Sequence, residues 1–233
     1  MSTNLSKLKE CVILCAGANQ PYLEAVNQLV ADYERVFFVG VDRGALKLIQ
    51  AGYDLDFSVG DFDSVTQDEF DQIEAHSNST QQFSSEKDDT DLELALELAV
   101  KKYPKADYYL FGAIGEGFGR LDHLLANIWL VFQPRYQAVV DRLYFVESHH
   151  RLCFYLPGTH ELFALPDKEY LSIVSLTAIK QLVIKGAKYE LQATDFAYPR
   201  ALISNEFIGK KSAEISFEEG LLMVLWVKEH QQI

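Results

Sequence analysis

The sequence predicts an α/β protein in two parts, and three observations carry this. Short apolar runs alternate with helix-length patterns through residues 1–149. Across residues 150–233 the helical patterns fade, and short β-rich pieces follow one another between glycine and proline turns. The chemically informative residues stand just after the apolar runs, where the carboxyl ends of parallel strands bind ligands. The expectation is an N-terminal Rossmann-like parallel sheet with flanking helices, followed by a small all-β sandwich domain.

Residues 12–15 are an unbroken apolar run of strand length. Residues 22–33 read as a helix, with Pro21 suited to its first turn. The β-branched and aromatic run 36–41 reads as a strand. Residues 45–51 form a short helix that Gly52 caps, and 57–59 a brief strand. An acidic helix over 67–75 follows, then a helix over 92–103 with leucines and alanines along one face. Residues 108–111 read as a strand, 121–132 as an apolar helix and 143–146 as a strand. Strand and helix in alternation call for parallel strands joined by crossover helices. The boundary falls near His149 to Arg151. Beyond it, 152–155, 171–176, 182–184, 214–217 and 221–227 read as strands of an antiparallel sandwich or barrel. Pro157-Gly158, Gly186, Gly209 and Gly220 mark the turns.

The 233 residues, 48% of them hydrophobic and 24% charged, suffice for a sizeable core without disulfides or a structural metal. A net charge of -13 argues against nucleic acid as partner, which wants a basic face. It does not exclude a phosphorylated substrate, because carboxylates and phosphates can share a divalent cation. Of the three cysteines, Cys11 and Cys15 lie in the apolar run CVILCAG and read as small core residues of a reducing compartment. The N-terminus has no apolar signal stretch, and no run approaches about 18 apolar residues. A cytoplasmic protein that spans no membrane is expected.

Three segments carry candidate chemistry. In the first, Gly60-Asp61-Phe62-Asp63-Ser64 follows a strand. In an extended segment, side chains two apart point the same way, so Asp61 and Asp63 together would seat Mg2+, a hard cation that wants oxygen ligands. The same residues are ordinary turn formers; their place after a parallel strand points to function. In the second, Glu86-Lys87-Asp88-Asp89-Thr90-Asp91 opens a helix. Asp88 and Asp91 would share a face of its first turn, although capping and the helix dipole also favour acids there. In the third, four glycines between Gly112 and Gly119 link a strand to a helix that begins Arg120-Leu121-Asp122-His123. Backbone NH groups there can cradle phosphates, and Arg120 can add a charged contact. The Gly-Lys-Ser/Thr ending of a Walker A loop is missing. His123 and Asn127 share a helix face, and no second histidine stands at zinc-ligand spacing.

Taken in order, Val41-Asp42-Arg43-Gly44-Ala45, Gly60 to Ser64, Lys87 to Asp91 and Gly115 to His123 resemble the thiamin pyrophosphokinase family. Lys185-Gly186-Ala187-Lys188-Tyr189-Glu190-Leu191 and Ser204-Asn205-Glu206 look like its C-terminal signature. The resemblance covers nearly the whole chain. It implies an ATP-binding α/β catalytic domain, a β-sandwich that binds thiamin, and a homodimer with thiamin near the subunit interface. Carried over by position, it makes Asp61, Asp63 and Asp88 the candidate Mg2+ and phosphate site. Asp91 and Asp122 fall near the reacting groups. Asp42, Gly115, Gly119, Arg120, His123 and Asn127 fall where ATP is held, and Ser204 and Asn205 where thiamin is met. Three departures stand out: Arg43 replaces a glycine, Glu116 to Phe118 interrupt a Gly-Gly-Arg, and Ala187 and Glu190 replace Leu and Pro.

The implied reaction is attack by the hydroxyl of thiamin on the β-phosphorus of ATP, giving thiamin diphosphate and AMP. Positioning and charge neutralisation dominate such transfers, and either Asp91 or Asp122 would take the hydroxyl proton. The residues alone also allow pyrophosphoryl transfer to another alcohol such as a pterin, metal-dependent phosphate hydrolysis, or a sensor that binds thiamin or nucleotide without turnover.

Overall fold

The computed structural model describes residues 9–17, 21–114, 120–166 and 168–228. They fall into two compact units: the chain up to Val139 with Phe145–Glu147, and Val140–Tyr144 with the chain from Ser148 onward.

The first unit runs β1 (Glu10–Cys15), α1 (Leu23–Asp32), β2 (Arg35–Val41), α2 (Gly44–Gln50), β3 (Phe57–Gly60), α3 (Gln67–Ala75), β4 (Thr80–Gln82), α4 (Asp91–Lys102), β5 (Asp107–Phe111) and α5 (Leu121–Trp129). Two 3-10 stretches, Leu130–Phe132 and Pro134–Arg142, lead to β6 (Leu143–Val146). Its strands lie in the order β6-β5-β1-β2-β3-β4. The pairs β5/β1, β1/β2, β2/β3 and β3/β4 are all parallel. Central β1 is flanked on both edges, and Cys11 through Cys15 are fully buried. A parallel strand covered on both faces reads as a continuous apolar run, which is what CVILC is. All three cysteines are free and buried. Burial pushes the Cys11 and Cys15 thiols up to about 12, so they pack rather than react.

Two helices, α3 and α4, start where a side chain satisfies their exposed NH groups. Thr66 caps α3 and Thr90 caps α4, each in a reciprocal box with Glu69 or Glu93. The helical pattern over 121–132 splits: the α-helix ends at Trp129 and tightens to 3-10 turns ahead of Pro134.

The second unit holds β7 (His150–Tyr155), β8 (Gly158–Leu162), β9 (Tyr170–Ser175), β10 (Ile179–Lys185), β11 (Leu191–Phe196), β12 (Ala201–Glu206), β13 (Ala213–Phe217) and β14 (Leu222–Val227). All its pairings are antiparallel, in the orders β12-β9-β14-β7 and β11-β10-β13-β8. Ile173 and Val224 from the first group share one buried cluster with Ile184 and Ile215 from the second. In β13, Ala213, Ile215 and Phe217 face that core, while Glu214 and Ser216 are less buried.

Four strands, β4, β8, β11 and β12, escape the apolar-run reading, and each ends its row. Edge strands bury less, so their sequences carry fewer apolar residues: β4 is Thr-Gln-Gln, and β11 has no fully buried side chain. Among the described residues no helix is long and apolar enough to cross a membrane.

Gly44 opens α2 against the end of β1. A Cβ there would lie 1.9 Å from the Cys15 carbonyl oxygen, a main-chain atom of a buried strand that cannot yield. Gly44→Ala is therefore expected to lower unfolding free energy in urea by about 2–3 kcal/mol. A loss below about 0.5 kcal/mol would show that the β1–α2 contact is looser than this.

Candidate active site

The site grows from the carboxyl ends of β2 and β3. These strands pair in parallel, with Val41 opposite Val59. One residue later the chain turns at Asp42, whose φ of 48° is left-handed. Aspartate is among the few residues that tolerate this region. The turn is fixed by Asp42 NH donating to Val59 O at 2.9 Å and by Ala45 NH donating to Asp42 O at 3.0 Å. It swings the Asp42 carboxylate over Gly60, where a Cβ would lie 2.0 Å from Asp42 Oδ1. A side chain at residue 60 would push that carboxylate out of its place.

Phe62 is left-handed too, with φ 57°. Its ring is buried with Cys15, Ala45 and Ile73 and meets Phe70 edge-on at 5.1 Å. Its NH donates to Asp42 Oδ1 at 3.1 Å. The acidic loop is thus nailed to the core through Phe62, with Asp61 and Asp63 on either side. Arg43 secures the far end, donating to Ser64 O at 2.7 Å and to Glu69 Oε1 at 2.7 Å.

The third acid comes from α4, which begins at Asp91 after the Thr90 cap. One carboxylate oxygen each of Asp42, Asp61 and Asp91 lie within 4.8 Å of one another. Burial, then the charge of Asp91, push the Asp42 carboxyl up to about 7, with Asp61 adding to the rise and the Phe62 NH opposing it. Lys87 Nζ partly offsets this crowding, meeting Asp91 Oδ1 at 2.7 Å with both side chains largely covered. Three carboxylates converging with one lysine make an all-oxygen donor set with surplus negative charge. That chemistry fits Mg2+.

A cavity of about 670 Å³ opens over these acids. Arg43, Lys87, Arg120 and His123 bring positive or protonatable groups to its wall. Asn127 also lines it, buried on α5, and donates to the Ala113 carbonyl. Glu147, fully buried after β6, accepts from Ile114 NH at 3.2 Å at the entry to the glycine-rich segment. Lys47 beneath donates to Gly17 O at 2.9 Å, and burial lowers its pKa.

The structure brings Asp61 and Asp91 together with Asp42, whereas the spacing paired Asp61 with Asp63 and Asp88 with Asp91. Asp63 is exposed and contributes its NH, which donates to Asp61 Oδ1 at 3.2 Å. The expected same-side pair assumed an extended loop, and the left-handed Phe62 between the two acids interrupts that alternation. Asp88 is exposed and precedes the Thr90 cap, so helical spacing does not relate it to Asp91. Asp122 is exposed and paired with Arg120, whose guanidinium holds the carboxyl below its usual range. Gly115 and Gly119 lie outside the described residues. In the second unit, Asn205 is buried: Oδ1 accepts from Tyr189 NH at 2.9 Å, and Nδ2 donates to Tyr189 O at 2.8 Å. Ser204 is exposed, left-handed at φ 58°, and its NH donates to Ser172 Oγ at 3.3 Å.

Sequence reasoning missed Glu147, Asp89 and the anchoring of Arg43. Glu147 had a signal, a carboxylate ending the apolar run LYFV. Asp89 had none, because its partner Arg135 is 46 residues away.

Comparison with known proteins fits this architecture. Residues 29–140 match the family model "Thiamin pyrophosphokinase, catalytic domain", and residues 159–222 match "Thiamin pyrophosphokinase, vitamin B1 binding domain". The thiamine pyrophosphokinase of Bacillus subtilis is 33% identical over 194 residues, covering 82% of this chain and 87% of that protein. A crystal structure of a thiamin pyrophosphokinase family protein from Enterococcus faecalis superposes with a TM-score of 0.84 at 36% identity, covering 95% of this chain and 100% of the other. The crystal structure of the B. subtilis enzyme gives 0.79 at 28% identity, covering 95% and 100%. With the acids of the catalytic segment assembled around one cavity and both family segments present in one chain, this protein belongs to the thiamin pyrophosphokinase family.

Proposed function

We propose that this chain transfers the diphosphate of ATP to the hydroxyl of thiamin, releasing AMP, with Mg2+ bound at its acidic centre. The observation that carries this is the convergence of Asp42, Asp61 and Asp91 on one cavity wall, within the stretch that matches the family's catalytic segment. Those three would hold the cation, and Asp63 and Asp88, on the same two loops, would join when phosphates are bound. When bound, Mg2+ would neutralise phosphate charge and orient the diphosphate. The chain itself supplies position. Arg120, Lys87 and His123 on the cavity wall would meet the anionic polyphosphate, together with Gly112 to Ile114 at the entry to the glycine-rich segment. The thiamin oxygen forms the bond to the β-phosphorus, the bond to the oxygen retained by AMP breaks, and the hydroxyl proton goes to a carboxylate. Asp91 lines the cavity, whereas Asp122 is exposed and paired with Arg120, so placement favours Asp91 as the acceptor. We read the parallel unit as Rossmann-like and the shared core of the second unit as a sandwich. Ser204 and the exposed Tyr189 mark the face of that sandwich which would meet the thiamin cation. The protein would work as a cytoplasmic homodimer.

The test is to mix protein, thiamin, ATP and Mg2+ and identify both products. AMP formed one for one with thiamin diphosphate is expected. ADP, or thiamin binding with no nucleotide product, would overturn the reading. Asp61→Asn should cut turnover by about 100-fold or more and weaken Mn2+ binding measured by electron paramagnetic resonance. Asp63→Asn should lose turnover yet keep Mn2+ binding without nucleotide, since Asp63 lies outside the three-acid cluster.

The acid crowding also predicts a pH dependence. The Asp42 carboxyl rises from 3.8 to about 7 on folding, so the folded state holds its proton more tightly than the unfolded one. The resulting stabilisation is full below about pH 4 and lost as pH rises through about 7. Asp42→Asn should therefore raise Tm of the metal-free protein near pH 8 by roughly 3 °C, with a smaller gain near pH 5, while abolishing turnover. A lower Tm at pH 8 would show that Asp42 is not under electrostatic strain.

A further inference from the structure

Asp91 opens α4, and the helix start is gripped by a residue outside the cavity wall. Arg135 lies in the 3-10 stretch Pro134–Arg142. Its Nη1 and Nη2 donate to Asp89 Oδ2 and Oδ1 at 2.8 and 2.7 Å, a two-pronged contact. Nη1 also donates to Glu97 Oε2 at 3.0 Å, and Nη2 lies 3.6 Å from Glu93 Oε1. The guanidinium carbon sits 5.0 Å from the Tyr136 ring centroid, and only 27% of the side chain is exposed. Asp89 and Glu97, like their partner, are half-buried, so this network is less screened than a surface pair.

The neighbours of Arg135 pull on the same place. Gln133 donates to Glu93 Oε1, and Tyr136 OH donates to the Glu93 carbonyl at 2.7 Å. Glu93 Oε2 in turn accepts from Thr90 NH at 2.7 Å in the helix cap. A chain of contacts thus reaches both residues flanking Asp91 in the cap, with Asp89 two positions before it and Glu93 two after. Arg135 also answers the charge of Asp89, a carboxylate on the cavity wall.

We propose that Arg135 is a positioning residue for the cation site: through Asp89 and the Thr90–Glu93 cap it holds Asp91 against Asp42 and Asp61. This rests on the assignment of the cation to those three acids. The planar fork fixes direction as well as distance, which a lysine at the same position cannot reproduce. Loss of the fork frees the helix start and leaves the Asp89 charge facing the incoming polyphosphate.

The test is Mn2+ titration of the whole protein without nucleotide, followed by electron paramagnetic resonance, beside thermal melting and steady-state kinetics. Arg135→Lys should melt within a few degrees of wild type, bind Mn2+ about tenfold more weakly and raise KM for ATP. Glu97→Gln removes a contact of Arg135 two turns from the cap, and should keep wild-type Mn2+ affinity. Asp89→Asn breaks the fork from the other side and should reproduce the loss even if the arginine variants fail to fold. Wild-type Mn2+ affinity in folded Arg135→Lys or in Asp89→Asn overturns the proposal and leaves the function standing. Equal weakening in Glu97→Gln overturns it too, as general loosening of α4. Wild-type protein that binds no Mn2+ overturns the cation site first, and this proposal with it.

Discussion

Everything at the site depends on one tight fit, the left-handed Asp42 seated over Gly60. Three carboxylates repel, and a folded chain gathers them only where the backbone leaves no alternative. Here Asp42 leaves β2 at φ 48° and its Oδ1 occupies the volume a Cβ at residue 60 would fill. The acceptor is satisfied by the NH of Phe62, a second left-handed residue held by its buried ring. Two positive-φ residues other than glycine, facing each other at adjacent strand ends, are the kind of local strain that persists where surrounding packing fixes it. The strain sits at the carboxyl end of a parallel sheet, where ligands bind in such folds.

The loops that deliver the other two acids solve the same mechanical problem in the same way. Asp61 precedes α3, and Asp91 begins α4. Each helix is capped by a threonine and a glutamate in a reciprocal box. In each, an arginine from a different element reaches that glutamate: Arg43 at Glu69 within 2.7 Å and Arg135 at Glu93 within 3.6 Å. A cap orders the first turn, and a guanidinium from elsewhere ties that turn to the rest of the unit. Carboxylates that would otherwise spread apart are thereby held at fixed places. Arg43, directly after the left-handed Asp42, is one of these ties.

What could be read beforehand follows burial. Interior strands such as β1 and β14 are legible because an apolar residue is needed at nearly every position. Edge strands β4, β8, β11 and β12 are not, because one side of each faces solvent and their sequences resemble loops. The acid-rich segments were legible as a set, and so was their order. Which acids meet was not. That choice is made by the φ of Phe62, which leaves no mark in residue spacing, and by Thr90 as cap, which the Thr90-x-x-Glu93 spacing marks but which says nothing of the partners across the cavity. Glu147 and Arg135 act across long stretches of chain, so only the folded structure shows what they hold.

The second unit explains why its two sequence signatures travel together. The segments Lys185 to Leu191 and Ser204 to Glu206 are distant in sequence, yet Asn205 closes both main-chain groups of Tyr189 with its side chain. Lys188 adds an ion pair to Glu206 at 2.6 Å, and Ala187 bridges to Phe207. Asn205 Oδ1 also accepts from the Glu206 NH at 2.9 Å, so both acceptor directions of the amide serve the architecture, while one of the two Nδ2 hydrogens is used by Tyr189 O. Asn205 thereby fixes the Tyr189 ring, 58% exposed, beside Ser204, which is exposed where an irregularity interrupts the β12–β9 register between Leu202 and Asn205. An asparagine that fixes a tyrosine in place is as demanding of sequence as one that touches a substrate, and the same short motif would mark either.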